Sequence, residues 1–303
     1  MENKKNNSIA LVGSTYFPKW YKGKLKSLVH TDKIRGDIAL QTMLKAKELG
    51  IWAVVCDGGS TKTFLKELSL TNNPKLKVIR LATSKRSPNK RRAIFTAAQN
   101  PDVKVIILTE LEKLSLIADC LSKIVNPILE GNADVVIPRR EDALFKKSYP
   151  LYMYDSEVEG NTLYNEELRS HELWGMNEDD LDVFFGPRVF RNNRELLLSL
   201  FRMYRAKRVK SLLHQFVFDL EEYSNAQFFP VVQALKKGKK VVGVTIPFEY
   251  PRLQKENELK GNLDYFIEKR KFQKLTIIVE LMHFMGYLDH KRKTRITLPK
   301  TSG

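Results

Sequence analysis

Short apolar segments alternate with segments of helical length through the first half of this chain, and this alternation constrains the fold most. Strands separated by helices in this way predict βαβ units, joined by right-handed crossovers into a mostly parallel sheet. We therefore predict an α/β fold. The predicted strands are Ser8–Gly13, Ala53–Cys56, Lys77–Leu81, Val103–Leu108 and Asp134–Ile137.

The second half of the chain is mostly helical in pattern. Asp182–Arg191 is predicted to be a strand or a bend, and Lys240–Ile246 is a further predicted strand. The segment Phe248–Lys260 is polar and lacks helical periodicity, so we expect a loop there. An amphipathic helix is predicted over Asn262–Tyr287. We predict an α/β domain over residues 1–260 and a C-terminal amphipathic helix with a basic tail over residues 261–303.

The chain is strongly basic, with 52 Lys and Arg residues against 35 Asp and Glu residues and a net charge of +17. Such an excess indicates an anionic partner: a nucleotide or phosphosugar, an anionic membrane surface, or nucleic acid. No nucleic acid is expected, because the basic residues are spread along the chain and no recognition motif occurs.

Several features predict a cytoplasmic location. The N-terminal residues MENKKNNS lead into the first strand without the apolar core of a signal peptide, and no apolar run is long enough to span a bilayer. Cys56 and Cys120 lie in apolar elements, as expected of reduced, buried thiols. The helix near Phe266–Tyr287 has Lys and Arg flanks and could lie on an anionic membrane, although packing on the domain is the favoured alternative.

The first two strands end in residues suited to a ligand crevice. The first strand runs into Gly13 and Ser14, and the second ends in the sequence Asp57-Gly58-Gly59-Ser60-Thr61. Ligands gather at the carboxyl ends of parallel strands, so these residues are candidates for nucleotide binding. The alternative is an ordinary turn in which the acid or a hydroxyl group caps the next helix.

The strongest concentration of positive charge is the segment TSKRSPNKRR over Thr83–Arg92, just before a predicted helix. Basic side chains beside a helix N-terminus favour phosphate binding, because the free N–H groups and the helix dipole add to their charge. The candidates are Lys85, Arg86, Lys90 and Arg91. A solvated basic loop is the alternative.

Two carboxylates, Glu110 and Glu112, follow the buried strand Val103–Leu108. Such a pair can hold a hard divalent cation, Mn²⁺ or Mg²⁺, which in turn binds the phosphates of a nucleotide. Glu110 is thus a candidate for both metal and nucleotide binding.

In their order, these motifs resemble the GT-A glycosyltransferases, particularly the family-2-like nucleotide-diphospho-sugar transferases. The matching segments are VVCDGGST, KRSPNKRRAIFTAA, VIILTELEK and GPRVFR, and the resemblance covers roughly residues 8–250. It implies a GT-A fold, Rossmann-like, and transfer of a hexose from a nucleotide diphosphate sugar to an unidentified acceptor. In that family Asp57 would face the base or ribose, Glu110 and Glu112 would hold the metal, and Gly186 and Arg188 would border the acceptor.

The chain departs from the family pattern in two places. The acidic pair is Glu-x-Glu rather than Asp-x-Asp and is followed by Lys113, whose ammonium group could partly replace a cation. The catalytic base of inverting members has Glu221 and Glu222 as candidates here, whereas the segment Asn225–Gln227 offers no base. Asp155 and Glu159 share one face of a predicted helix and could bind acceptor hydroxyl groups, or could simply form salt bridges on its surface.

Two other functions stay open. A sugar-phosphate nucleotidyltransferase shares the sheet architecture but usually carries a Gly-rich, Arg-containing loop after the first strand, and here that loop has one glycine and no nearby arginine. A non-catalytic basic module that binds an anionic membrane or another polyanion would bind in a strongly salt-dependent way and show no effect of nucleotide sugars.

Overall fold

The architecture comes from a computed structural model that describes residues 6–204, 223–261 and 263–296. Seven strands of this part of the chain form one sheet in the order β3-β2-β1-β4-β6-β5-β7. The strands are β1 (Ile9–Thr15), β2 (Trp52–Asp57), β3 (Leu76–Arg80), β4 (Val105–Leu108), β5 (Val135–Arg140), β6 (Arg188–Arg191) and β7 (Val241–Ile246). Strand β6 runs antiparallel to both of its neighbours, and the other pairs are parallel.

Helices cover both faces of the sheet. In chain order they are α1 (Thr31–Glu48), α2 (Lys62–Leu70), α3 (Arg86–Ala98), α4 (Leu114–Ala118), α5 (Leu121–Leu129), α6 (Asp142–Ser148), α7 (Leu151–Ser170), α8 (Arg194–Leu200), α9 (Ser224–Gln227), α10 (Phe229–Lys236), α11 (Arg252–Lys260) and α12 (Leu263–Ile296). The predicted fold class, a Rossmann-like, mostly parallel α/β sheet flanked by helices with a C-terminal helical extension, is confirmed. The expectation of a loop over Phe248–Lys260 is wrong, because its second part forms α11.

The core consists of two layers, one on each face of the sheet, as alternating side chains of a buried strand require. Ala10 and Val12 of β1 belong to one layer, together with Tyr164 of α7. Ile9 and Leu11 point the other way, into a layer that includes helices α1 and α5. Helix α12 packs against α7 and adds Leu281 to the first layer.

Strand order reverses at the boundary between β1 and β4. From β1 the chain proceeds outward to β2 and β3, and then returns to place β4 on the other side. A reversal of this kind opens a crevice at the carboxyl ends of the two strands, where open α/β sheets bind their ligands. The antiparallel strand β6 pairs Arg188 with Leu108 of β4, so the turn before β6 is brought to the same edge.

Within the described part of the chain, no helix is both long enough and apolar enough to cross a bilayer.

Candidate functional site: a basic cleft at the carboxyl edge of the sheet

A cleft of about 990 Å³ lies at this reversal of strand order. Ser14 and Thr15 at the end of β1 form one side of it, and Glu110, Glu112 and Lys113 after β4 form the other. Among the described residues its lining carries nine Lys or Arg side chains against four carboxylates. The cations are Lys19, Lys26, Lys33, Arg35, Arg86, Lys90, Lys113, Lys269 and Arg270, and the carboxylates are Asp32, Glu110, Glu112 and Glu157.

The centre of the cleft is a buried ion pair between Lys90 and Glu110. Lys90 Nζ donates to Glu110 Oε1 over 2.8 Å, and Lys90 is only 2% exposed. Gln227 Nε2 donates to the same oxygen, also over 2.8 Å. The second carboxylate oxygen, Oε2, lies 3.6 Å from Nζ of Lys113. Two ammonium groups and one amide therefore hold a single carboxylate.

This arrangement shifts the ionisation of both partners. Burial alone raises the pKa of Glu110, but the charges of Lys90 and Lys113 together lower this pKa well below its ordinary value. Burial lowers the pKa of Lys90, the attraction of Glu110 opposes that change, and Arg86 and Lys113 lower the pKa further. Glu110 is therefore ionised throughout the neutral range and lies beside two positively charged side chains, Lys90 and Lys113.

The turn before β6 closes tightly over Glu110. Gly186 has a φ of 101°, and a Cβ atom there would lie 2.7 Å from Glu110 Oε2. Only glycine accepts both this conformation and this contact without strain. Gly186 lines the cleft, and its place beside an acceptor stays a prediction.

Arg188 supports the site from beneath. Its side chain is 0% exposed, and it does not belong to the cleft lining. It donates to the carbonyl oxygens of Val183, Pro187 and Gln227 over 2.7 to 3.1 Å. Burial lowers the pKa of this guanidinium to about 10. Arg188 thus fixes the backbone on both sides of Gly186 and at Gln227.

The residues predicted to bind the donor divide into two groups. Ser14, Arg86, Lys90 and Glu110 line the cleft. The five other candidates do not line it: Gly13, Asp57, Gly58, Lys85 and Arg91. A Cβ atom on Gly58 would lie 2.7 Å from the carbonyl oxygen of Thr83, so this glycine allows close packing of β2 against the segment before α3.

The placement of the basic segment follows from where α3 begins. Lys85 is the residue before the first turn, and Arg86 and Lys90 are one helical turn apart on the face toward the cleft. Arg91 turns away, and its guanidinium lies over the ring of Phe95. Helical spacing, rather than charge, therefore decides which of these cations reach the cleft.

Asp57 is completely buried and lies outside the cleft lining. It accepts hydrogen bonds from Thr15 Oγ1 over 2.9 Å and from the backbone N–H groups of Gly59 and Ser60 over 3.1 to 3.2 Å. These bonds tie the ends of β1 and β2 together. A direct role of Asp57 in nucleotide binding stays a prediction, whereas its role in shaping the turn is observed.

The predicted acceptor-side carboxylates of α7 lie on its outer face. Asp155 and Glu159 are exposed, and Glu159 pairs with Lys274 of α12. Glu157, which lies between them in sequence, is 4% exposed and lines the cleft. It pairs with Arg270 over 3.1 Å and with the buried Arg140 over 2.6 Å. Sequence reasoning thus selected the wrong side of this helix for the cleft.

Charged groups from distant parts of the chain complete the cleft. Arg35 of α1 donates to Glu258 of α11 over 2.9 Å, and Glu258 also accepts from the hydroxyl group of Tyr250 over 2.8 Å. Lys269 and Arg270 enter from α12. None of these residues was singled out from the sequence, because their proximity arises only in the folded chain.

The predicted base residues, Glu221 and Glu222, lie outside the described residues. Of the four described carboxylates in the cleft, three are engaged: Asp32 by the backbone N–H of Lys19, Glu110 by Lys90, and Glu157 by two arginines. Glu112 is the remaining one, and within the described residues it has no recorded hydrogen bond or ion pair.

The predicted cation site was Glu110 with Glu112. The donor set does not fit a divalent cation on Glu110, because two ammonium groups already lie within 4 Å of its carboxylate and would repel a metal ion. Residues 6–204, 223–261 and 263–296 contain no cluster of three His, Cys, Asp or Glu residues able to hold a metal ion. The use of Mn²⁺ or Mg²⁺ stays a prediction, and no chemical step is derived through it.

Fold and cleft define an α/β protein with a basic cleft at the reversal of its strand order. No protein-family model and no curated protein matches this chain. One similar solved structure is a "putative nucleotide-diphospho-sugar transferase" from Desulfovibrio desulfuricans, with a TM-score of 0.43 and 9% sequence identity over 90% of this chain and 98% of that chain. So distant a likeness carries no argument about activity, and the chemistry of the cleft has to support any function.

Proposed function

We propose that this protein is a glycosyltransferase that moves a hexose from a nucleotide diphosphate sugar to an acceptor hydroxyl group. The observation that carries the proposal is the group of Arg86, Lys90 and Lys113 around Glu110 at the reversal of strand order. A diphosphate is the ligand chemistry that such a set of cations recognises, and this edge of the sheet is where open α/β folds bind nucleotides.

Departure of the nucleoside diphosphate is the step that these cations would assist. As the bond between the anomeric carbon and the diphosphate oxygen breaks, the leaving group takes the electron pair and gains negative charge. Cations already fixed in a buried site stabilise this charge with little reorganisation. Glu110 holds Lys90 in place, and Gln227 holds Glu110, so the ion pair positions the ammonium group without occupying all of its donors.

Glu112 is our candidate for the general base. It follows β4 next to the cation group and is the one cleft carboxylate among the described residues without a recorded partner. The acceptor oxygen would attack the anomeric carbon while its proton passes to the Glu112 carboxylate, and the sugar–phosphate bond would break. Glu221 and Glu222, predicted from the sequence, are the competing candidates.

The first test is a thermal-shift panel of GDP-, UDP- and ADP-sugars, each with and without Mn²⁺. A ligand that binds only the folded state at 100 times its Kd adds about 2.7 kcal/mol of stability. We expect one nucleotide to raise the Tm without Mn²⁺, because Lys90 and Lys113 already supply positive charge where a metal ion would otherwise be needed. A strict requirement for Mn²⁺ would instead favour a cation at Glu112.

Matched variants on one helix locate the binding. Arg86→Met removes a cation that lines the cleft, and Arg92→Met removes an exposed cation of α3 that does not. We expect the first to abolish most of the nucleotide shift and the second to preserve it. If neither variant changes the shift, or no nucleotide shifts the wild-type Tm, the proposal fails. Pyrophosphate release from a nucleoside triphosphate and a sugar phosphate would identify a nucleotidyltransferase instead.

A further inference from the structure

The far wall of the cleft, built by α12, carries a second group of cations. Lys269 and Arg270 line the cleft from this helix, and Arg35 lines it from α1. Lys269 and Arg270 follow Lys90 by more than 170 positions, whereas Arg35 precedes it. The group is therefore built from both ends of the described chain. The proposed donor site at Glu110 does not include them.

The members of this group differ in how their charge is balanced. Arg35 pairs with Glu258 over 2.9 Å, and Arg270 pairs with Glu157 over 3.1 Å. Lys269 has no ion pair among the residues that the structure describes. Its recorded contact is with the ring of Tyr265, whose centroid lies 5.7 Å from Nζ. Three arginines act on this half-buried ammonium group, Arg35, Arg86 and Arg270, against one carboxylate, Glu258, with which it forms no ion pair. Such an excess of positive charge favours an anion from outside.

We infer that the second substrate carries an anionic phosphate group, and that Lys269, supported by Arg35 and Arg270, binds it. The inference rests on the proposed function, because it assigns the acceptor of that transfer to a chemical class: a phosphate-bearing compound, either free or as a lipid headgroup. A cleft of about 990 Å³ is at the upper end of small-molecule pockets and leaves room for a second ligand beside a nucleotide.

Arg86 lines the same cleft and acts electrostatically on both cation groups. Its charge acts on Lys90, beside Glu110, and also on Lys269, on the far wall. A donor diphosphate at Lys90 and an acceptor phosphate at Lys269 would therefore both lie within range of the charge of Arg86 in one cleft. That arrangement places the two substrates next to each other, as group transfer requires.

The surroundings of Lys269 make its anion binding dependent on pH. Burial lowers the pKa of Lys269 to about 8, and the charges of Arg35, Arg86 and Arg270 contribute, whereas Glu258 opposes them. Loss of the proton above pH 8 removes the charge that binds the phosphate. Affinity for phosphate should fall as the pH rises from about 8 to 9, where the phosphate is already largely a dianion and the arginines stay charged.

The test measures binding of inorganic phosphate and of glycerol 3-phosphate by calorimetry, with the protein saturated by the nucleoside diphosphate that stabilises it. The variant Lys269→Gln removes the charge, and Lys271→Gln removes an exposed lysine of the same helix as the control. We expect Lys269→Gln to weaken phosphate binding about tenfold and to remove the fall in affinity between about pH 8 and 9, where both probes are already largely dianions. Nucleotide affinity should change less than twofold, and Lys271→Gln should match the wild type.

A parallel arm distinguishes the two sources of phosphate. Vesicles of phosphatidylcholine with about 20 mol% phosphatidic acid, which gives them a negative surface, are compared with vesicles of phosphatidylcholine alone. Vesicle binding that is lost in Lys269→Gln identifies a lipid phosphate, and binding of glycerol 3-phosphate alone identifies a free one.

Three results would overturn the inference: unchanged phosphate affinity in Lys269→Gln, a wild type that binds neither phosphate probe, or a tenfold loss of nucleotide affinity in Lys269→Gln with phosphate binding intact. The last would assign Lys269 to the donor diphosphate. Failure of the proposed function is separate, because it appears as a wild-type protein that binds no nucleotide. In that case phosphate binding is measured without nucleotide, and its sensitivity to Lys269→Gln still decides whether the anion site exists.

Discussion

Nζ of Lys90 donates to Oε1 of Glu110 over 2.8 Å, and this contact joins the second turn of α3 to the segment that follows β4 inside the cleft. Both residues belong to segments that were singled out from the sequence for different reasons, one as a phosphate site and one as a metal site. The structure combines them into one charge-balanced unit, and several consequences can be measured.

Lys90→Met should destabilise the protein by about 2 kcal/mol. Removing one partner of a buried ion pair leaves the other charge buried without compensation. This lowers the free energy of unfolding by about 3–5 kcal/mol when both groups are fully buried. The Glu110 side chain is 33% exposed and keeps Lys113 nearby, so the loss should be smaller. Urea unfolding of Lys90→Met measures it, with Arg92→Met as the exposed control on the same helix. Equal stability of the two variants would show that the pair contributes nothing.

Acid should destabilise the protein partly through Glu110. The pKa of this carboxyl group is lower in the folded protein than in the unfolded chain, because Lys90 and Lys113 outweigh the effect of burial. The folded state therefore binds fewer protons, and the stabilisation is present above the unfolded pKa of about 4.3 and is lost as the pH falls below it. The Tm of the wild type should fall more steeply between pH 5 and 3 than that of Glu110→Gln. Parallel curves for the two proteins would contradict this assignment.

Gly186→Ala should be more harmful than the same change at Gly23. Both glycines have a positive φ, 101° and 104°, so both substitutions strain the backbone by about 1–3 kcal/mol. A Cβ atom at Gly186 would also lie 2.7 Å from Glu110 Oε2, whereas at Gly23 nothing lies within 4 Å. The difference in Tm between the two variants isolates this contact. We also expect Gly186→Ala, and not Gly23→Ala, to weaken nucleotide binding.

Arg188→Met should lower the free energy of unfolding by about 3 kcal/mol. The substitution leaves the carbonyl oxygens of Val183, Pro187 and Gln227 without their buried donor, and each unsatisfied group costs about 1–3 kcal/mol before the structure relaxes. Arg194→Met, at an exposed position of α8, serves as the control and should change stability by less than about 0.5 kcal/mol. Chemical denaturation compares them. A small effect at Arg188 would mean that water replaces the guanidinium.

The sequence allowed most of the sheet to be predicted, because most strands are short apolar runs next to helical segments. The short strand β6 and helix α11 lack such a pattern. The chemistry at the strand ends was harder to assign. Asp57 has the position of a ligand-binding residue, yet its carboxylate is used by Thr15, Gly59 and Ser60 within the turn. Composition cannot distinguish an acid that binds a ligand from one that accepts backbone hydrogen bonds.

Orientation about a helix axis was the second limit. In α7 the choice between Glu157 and the pair Asp155 and Glu159 depends on which face meets the core, and an acidic, polar stretch gives little apolar pattern to decide it.

The wall that bears Lys269 was the third limit. Its approach to Arg35 spans more than 230 residues of sequence, and no local pattern predicts such a contact.

Helix α12 packs on α7 and supplies one wall of the cleft. Because this helix is synthesised after the strands, the sheet can form before its last covering helix is present. A nascent chain that ends near residue 260 contains every strand of the sheet but lacks this helix. At roughly 5–20 residues per second, the remaining helix takes a few seconds to emerge. During that interval the apolar layer that Leu281 later joins faces solvent, so the unfinished chain has a surface on which chaperones can act.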